Sequence, residues 1–183
     1  MTIITELKQK MEKTIDYLNT ELGTLRTGRA HPSLLDRITV NYYGTETPLS
    51  QMAAINVPES RLINIQPYDK SVIDAIEKAI VSSDLGLAPS NDGKIIRLNL
   101  PMLTEENRRD LTKIAKKMGE EAKVALRNER RNANDELKKA EKAKEITEDD
   151  LKGYEKDVQD VTDDFVKRVD DIVDAKMTDI MEV

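Results

Sequence analysis

Cysteine and tryptophan are absent from this 183-residue chain, and phenylalanine and histidine occur once each. Without cysteine there is neither disulfide nor thiolate chemistry, and a reducing cytoplasm is the simplest compartment. The single histidine, His31, stands between Ala30 and Pro32 and leaves almost no material for histidine catalysis or a zinc site. No apolar run approaches the roughly 20 residues a bilayer crossing takes, and the opening MTIITELKQK lacks the basic-then-apolar order of a secretory signal. Charge, in contrast, is abundant. Asp, Glu, Lys and Arg make up 35% of the chain and hydrophobic residues 38%, against about 25% and 45–50% in ordinary domains. Long solvated helices produce that balance.

The formal charge of −6 conceals a segregation. Residues 104–144 hold thirteen basic and nine acidic groups, whereas 145–183 hold five and fourteen. One stretch can meet phosphate while its neighbour is repelled by it.

Three segments carry helical periodicity. Ile4, Leu7, Met11, Ile15, Leu18, Leu22 and Leu25 recur at steps of three and four, ending where Gly28 and Pro32 disfavour continuation. Thr104-Glu105-Glu106 supplies a cap and an acidic first turn for a second stripe of Leu111, Ala115, Met118, Ala122, Ala125, Ala133, Leu137 and Ala140. Thr147-Glu148-Asp149-Asp150 caps a third, with Leu151, Tyr154, Val158, Val161, Phe165, Val169, Ile172, Lys176 and Ile180. Each helix is apolar on one side only, so the three must bury their stripes on one another.

Between them the character changes, and all six prolines fall within residues 31–103. Ile38–Tyr43 followed by Gly44 reads as a strand entering a hairpin, and Ala54–Val57, Arg61–Gln66 and Lys94–Leu100 read as further strands. Ser71–Ile80 reads as a helix with a capping serine. The expected class is therefore α+β: an antiparallel three-helix bundle, discontinuous in sequence (1–30 and 104–183), with a small β/α/β domain (31–103) inserted. Hinges are expected near 29–32 and 102–105, at Ala30, His31, Pro32, Leu103, Thr104 and Glu105.

Most candidate chemistry fails. Gly86–Ile95 resembles a phosphate loop only superficially: six residues separate Gly86 from Gly93, and Ile95 stands where a metal-binding hydroxyl is needed. It reads as a turn before a strand. Asp163-Asp164 and Asp170-Asp171 point about 100° apart on a helix and do not converge on a metal. No catalytic residue, metal or cofactor is expected. A basic row remains on the second helix: Arg109, Lys113, Lys116, Lys123, Arg127 and Arg130, roughly 145° from the apolar stripe. Such a row can track a nucleic-acid backbone or be a solvated face with glutamate partners, and periodicity alone leaves both open.

Arg26-Thr27-Gly28-Arg29-Ala30, Pro32–Asp36, Tyr42–Thr45, Asp84–Leu87, Pro101–Glu106 and Arg127–Asp135 together resemble the ribosome recycling factor family, across essentially the whole chain. The resemblance implies an L-shaped, tRNA-like outline and binding to the ribosome after termination. It implies that the protein acts with elongation factor G and GTP to split the subunits and release mRNA and tRNA. It also implies contact with large-subunit ribosomal RNA through Arg26, Arg29, Arg108, Arg127 and Arg130, by a cytoplasmic monomer that is not itself an enzyme and engages neither DNA nor membrane. The rival reading is a coiled-coil scaffold or chaperone-like interaction protein. A phosphate-handling enzyme would need a converging polar site, which the chain does not offer.

Overall fold

The structure, a computed structural model, describes residues 2–182. Five helices and six strands run in the order α1 (Thr2–Gly23), β1 (Thr39–Tyr42), β2 (Thr45–Pro48), α2 (Leu49–Met52), β3 (Ala53–Glu59), β4 (Leu62–Pro67), α3 (Ile73–Val81), β5 (Pro89–Asn91), β6 (Ile96–Asn99), α4 (Glu105–Lys142) and α5 (Glu148–Met181). The chain divides into two compact units: residues up to Leu22 with Thr112–Thr178, and Gly23–Leu111 with the residues from Asp179 on.

The first unit is a bundle of α1, α4 and α5. Leu7, Met11, Ile15, Leu18 and Leu22 of α1 are buried, as the stripe demands. On α4 the buried residues are Ala115, Gly119, Ala122, Leu126, Ala133, Leu137 and Ala140. Leu111, Met118 and Ala125, placed on the stripe from sequence, are only half-buried, and Gly119 and Leu126 take the seam instead. On α5, Thr162 and Val173 are buried where Val161 and Ile172 were expected; the Thr162 hydroxyl satisfies itself on the Val158 carbonyl at 2.7 Å. Sequence partners along the seam run in opposite senses, Lys123 meeting Asp170 and Arg130 meeting Gln159, so α4 and α5 are antiparallel. The connection between them is short: Lys144 takes a left-handed turn (φ 61) and the Glu145 N–H returns to the Ala140 carbonyl. Thr147 then caps α5 reciprocally, its hydroxyl accepting from Asp150 N–H at 3.0 Å while Asp150 Oδ2 accepts from Thr147 N–H at 3.1 Å. Arg168 pairs with Glu12 of α1 through two bonds of 2.6 and 3.1 Å and lies 4.8 Å over the Phe165 ring.

The second unit holds a two-stranded hairpin, β1–β2, and an antiparallel four-stranded sheet ordered β3-β4-β6-β5. Tyr43 and Gly44 both have positive φ (49° and 85°), the backbone a two-residue hairpin requires. Ile63 and Ile65 of β4 and Ile96 and Leu98 of β6 alternate inward with period two, and Ile73, Ile76 and Ile80 of α3 join the same core at helical spacing. Pro58 sits where the β3–β4 register slips, tolerated because β3 is an edge strand and a proline there forfeits no ladder bond. Ser71 does not cap α3. Asp69 caps the preceding turn, accepting from the Ser71 N–H and hydroxyl at 2.9 and 2.7 Å.

Gly86–Ile95 contains a strand that its Pro-Ser-Asn sequence conceals, β5, followed by the turn into β6. The turn's N–H groups are already used: Asn91 accepts from Gly93, and Asp92 Oδ1 from Lys94 and Ile95 at 2.9 Å each. No phosphate cradle remains. Those two backbone bonds, helped by Arg97 at 3.1 Å, hold the Asp92 carboxyl down at about 2, against 3.8 ordinarily. A depressed carboxyl stabilises the fold above its unfolded pKa and loses that contribution as pH falls through the folded one. The melting difference between the native chain and Asp92→Ala is thus expected to be full at pH 5 and to shrink between pH 4 and about 2; a constant difference across that window would contradict this account.

Candidate nucleic-acid interface

The observed seam residues of α4 lie roughly 100° from its basic row, not 145°, because Gly119 and Leu126 swing the apolar stripe toward it. The row is therefore uneven. Lys123, at its inner edge, is an ion-pair partner inside the bundle: its ammonium is 2.5 Å from Asp170 and 3.5 Å from Glu120, with its side chain only 17% exposed. The hydrogen bond it donates to Asp170 holds the ammonium above the usual lysine range. It is thus removed from the solvent-facing set. Lys113, Lys116 and Arg127 are exposed. Arg130 is half-buried, one guanidinium nitrogen 3.4 Å from Gln159 Oε1, while Gln159 donates to Asp163 at 2.8 Å. Glu105 pairs with Arg109 at 2.6 Å across one helical turn. So α5's acidic face does not simply stand apart from the basic row; it stitches the row's inner members down and leaves the outer ones displayed. Arg131, four residues beyond Arg127 and exposed, extends the row. The i,i+4 spacing could have revealed it.

The other three predicted arginines lie in the second unit, around a hollow of about 580 Å³. Arg26 follows the end of α1, Arg29 is exposed in the loop after it, and Arg108 is in the first turn of α4. A guanidinium N–H of Arg26 donates to the Pro101 carbonyl at 2.5 Å, which ties the two chain passages together. The Nε atoms of Arg26 and Arg108 are shielded and lack a partner among the described residues. Burial pushes the Arg26 guanidinium below its ordinary range, although an arginine stays charged throughout. Arg61, from the turn between β3 and β4, lines the same hollow, and nothing in its sequence neighbourhood marks it. The loop needs glycine at 28: a Cβ there would collide with the Glu182 carbonyl oxygen.

Of the linker residues, Ala30 is buried and donates to the Ser60 carbonyl at 2.6 Å, and His31 Nδ1 accepts from Ser33 N–H at 3.1 Å. Pro32 opens a single 3-10 turn, Leu103 is half-buried in irregular backbone, Thr104 caps α4 by accepting from Asn107 N–H at 3.1 Å, and Glu105 begins the helix. No helix among the described residues is long and apolar enough to cross a membrane.

The family model for ribosome recycling factor matches residues 18–181. Ribosome-recycling factors of Geobacillus sp. (strain WCH70) and Bacillus subtilis (strain 168) are 60% and 55% identical to this chain, each over 99% of it and 98% of their own length. Among solved structures, a solution structure of a ribosome recycling factor is similar with a TM-score of 0.79 at 39% identity, over 100% of this chain and 97% of the other. A second match, at TM-score 0.69 and 41% identity over 99% and 98% of the two chains, comes from models of the T. thermophilus ribosome recycling factor and the E. coli elongation factor G bound to the E. coli post-termination complex.

Proposed function

This chain belongs to the ribosome recycling factor family, and on that premise we propose that it binds the post-termination ribosome and, with elongation factor G and GTP, separates the subunits and releases mRNA and tRNA. The observation that carries the reading is the gathering of arginines in both units, the exposed Arg127 and half-buried Arg130 on α4, and Arg26, Arg29 and Arg108 around the hollow. A guanidinium presents a planar fork suited to phosphate oxygens, and several on a stiff helix match the repeat of a nucleic-acid backbone. These five are the proposed contacts to large-subunit RNA, with Arg61 and Arg131 beside them.

The chain supplies no chemical step in this scheme; the GTPase hydrolyses GTP, and the setting is the cytoplasm. Bending is assigned to the linkers Ala30–Pro32 and Leu103–Glu105, which hold the irregular backbone of Ala30, His31, Leu103 and Thr104. Within α4 and α5 the chain passes from one unit to the other inside continuous helix, where a sharp bend breaks intrahelical hydrogen bonds.

Polysome breakdown with elongation factor G and GTP, with and without this protein, tests the activity. Co-sedimentation with ribosomes tests the contacts and separates this reading from a scaffold. Arg130→Ala is expected to lower the slope of log affinity against log salt by about one, and Arg130→Glu to weaken binding about tenfold or more, with melting nearly unchanged. Affinity that is flat between low and moderate salt would contradict an arginine-led interface, and equal binding by the Glu variant would remove Arg130 from it.

A further inference from the structure

We propose that the tip of the β1–β2 hairpin, with the turn that leads into α3, is a docking site for an exposed arginine of a protein partner. Three of the chain's five tyrosines gather there. Tyr42 packs on the core of the second unit, and its hydroxyl donates to Asp69 Oδ2 at 3.4 Å. That bond joins the hairpin to the turn and brings Tyr43 and Tyr68, each one residue from the bonded pair, into one neighbourhood. Their side chains are left in solvent, at 81% and 72% exposure.

Nothing in the fold calls for a ring at position 43. The hairpin asks for positive φ there (49°), which asparagine, aspartate or glycine adopts with less strain than a bulky side chain. The Tyr43 ring meets Tyr42 edge-to-face, centroids 4.5 Å apart, and takes no part in the core. A residue held in a strained conformation with its aromatic face open serves something outside the fold.

Charge selects the occupant. Along the hairpin and the turn, residues 39–48 and 69–74, Glu46, Asp69 and Asp74 stand against Lys70 alone. The Ser71 hydroxyl and N–H donate to Asp69 Oδ1 and hold its carboxyl below the ordinary value, so it stays ionised. Asp69 is half-exposed, and its Oδ2 accepts only the long bond from Tyr42 among the described residues. That oxygen has room for another donor. A guanidinium meets both features at once, since its plane stacks on a tyrosine face and its N–H fork suits a carboxylate. Arginine is also among the residues that concentrate binding energy at protein interfaces. A nucleic-acid strand can stack a base on Tyr43, but its phosphates then meet the surplus of carboxylates. None of the arginines assigned to RNA belongs to this site, so its test is independent of that assignment.

Titration of the isotope-labelled full chain with a blocked Gly-Arg-Arg-Gly peptide, followed by amide chemical shifts, tests the site. The same peptide with citrulline for arginine is the neutral match in shape, and hexauridylate represents single-stranded RNA. Saturable shifts are expected at Tyr42, Tyr43, Tyr68 and Asp69, with affinity for the citrulline peptide at least about tenfold weaker. Tyr43→Asn suits the turn, so its melting is expected to match or exceed that of the native chain while affinity for the arginine peptide falls about tenfold. Asp69→Asn, which can still accept from Ser71, is expected to erase the preference for arginine over citrulline. Equal affinity for the two peptides, binding undiminished in Tyr43→Asn, or shifts that never saturate would overturn the proposal. Hexauridylate held at the same residues more tightly than the arginine peptide would also overturn it, in favour of a surface that stacks RNA bases.

Discussion

Excision of residues 31–103, with Ala30 bridged to Thr104 by a short flexible linker, is expected to abolish polysome breakdown while leaving a folded helical bundle that still sediments with ribosomes. The core of the first unit survives the cut, since Leu7, Met11, Ile15, Leu18 and Leu22 still meet the seams of α4 and α5. The Arg168–Glu12 and Lys123–Asp170 pairs also remain. Lost with the insert are the partners of the neighbouring backbone, the Ser60 carbonyl that holds Ala30 and the Pro101 carbonyl that holds Arg26. The ends of α1 and α4 should fray there, and binding should weaken without vanishing because Arg127 and Arg130 are untouched. Far-ultraviolet dichroism, sedimentation and polysome breakdown read the three parts separately. Recycling by the shortened chain would defeat the proposed role of the insert, and an unfolded product would defeat its independence from the bundle.

Replacing Gly119 with leucine is expected to destabilise the bundle by about 3 kcal/mol, a fall of roughly 10–20 °C in the melting of that unit. Propensity alone argues the other way, because glycine in a helix interior costs about 1 kcal/mol relative to alanine. Packing decides the sign. A Cβ at 119 would come within 2.7 Å of Val173 Cγ2 and 3.8 Å of Val169 Cγ1, and the branched Val173 cannot turn aside without leaving its preferred rotamer. The contact predicts its own remedy: in the Val173→Ala background, Gly119→Ala should be tolerated or stabilising, whereas alone it should not. A leucine variant melting with the native chain would show that the seam can open at no cost.

These two cases mark what was legible in the sequence. Strong periodicity located all three helices and the capping threonines, since Thr104 and Thr147 act through local bonds to residues three positions on. Which face is innermost was less legible. Gly119 has no side chain to register on a hydrophobic stripe, and Thr162 is buried only because its hydroxyl finds a carbonyl one turn back. β5 escaped notice because Pro-Ser-Asn has no strand propensity and is extended only by pairing with β6. At the site, Lys123 read as one of an exposed row, yet its environment is set by Asp170, 47 residues away in sequence and adjacent only across the seam. Arg61 was invisible for the same reason: a turn residue joins the hollow through the sheet's topology, and no local pattern encodes that.

The discontinuity of the bundle also has a temporal side. α1 leaves the ribosome ahead of α4, and Ala115, Gly119 and Ala122, against which its stripe must close, follow about 90 residues later. At about 5–20 residues per second the delay is on the order of 5 to 20 s, far longer than a helix takes to form and melt. Most of an amphipathic helix's stability comes from packing of its apolar face, so α1 spends that interval flickering, with Leu7, Met11, Ile15, Leu18 and Leu22 uncovered. The sheet and α3 are complete by Leu100 and can consolidate meanwhile. The nascent chain is therefore most exposed to chaperones and proteases along α1, and that exposure ends only when the hairpin of α4 and α5 closes over it.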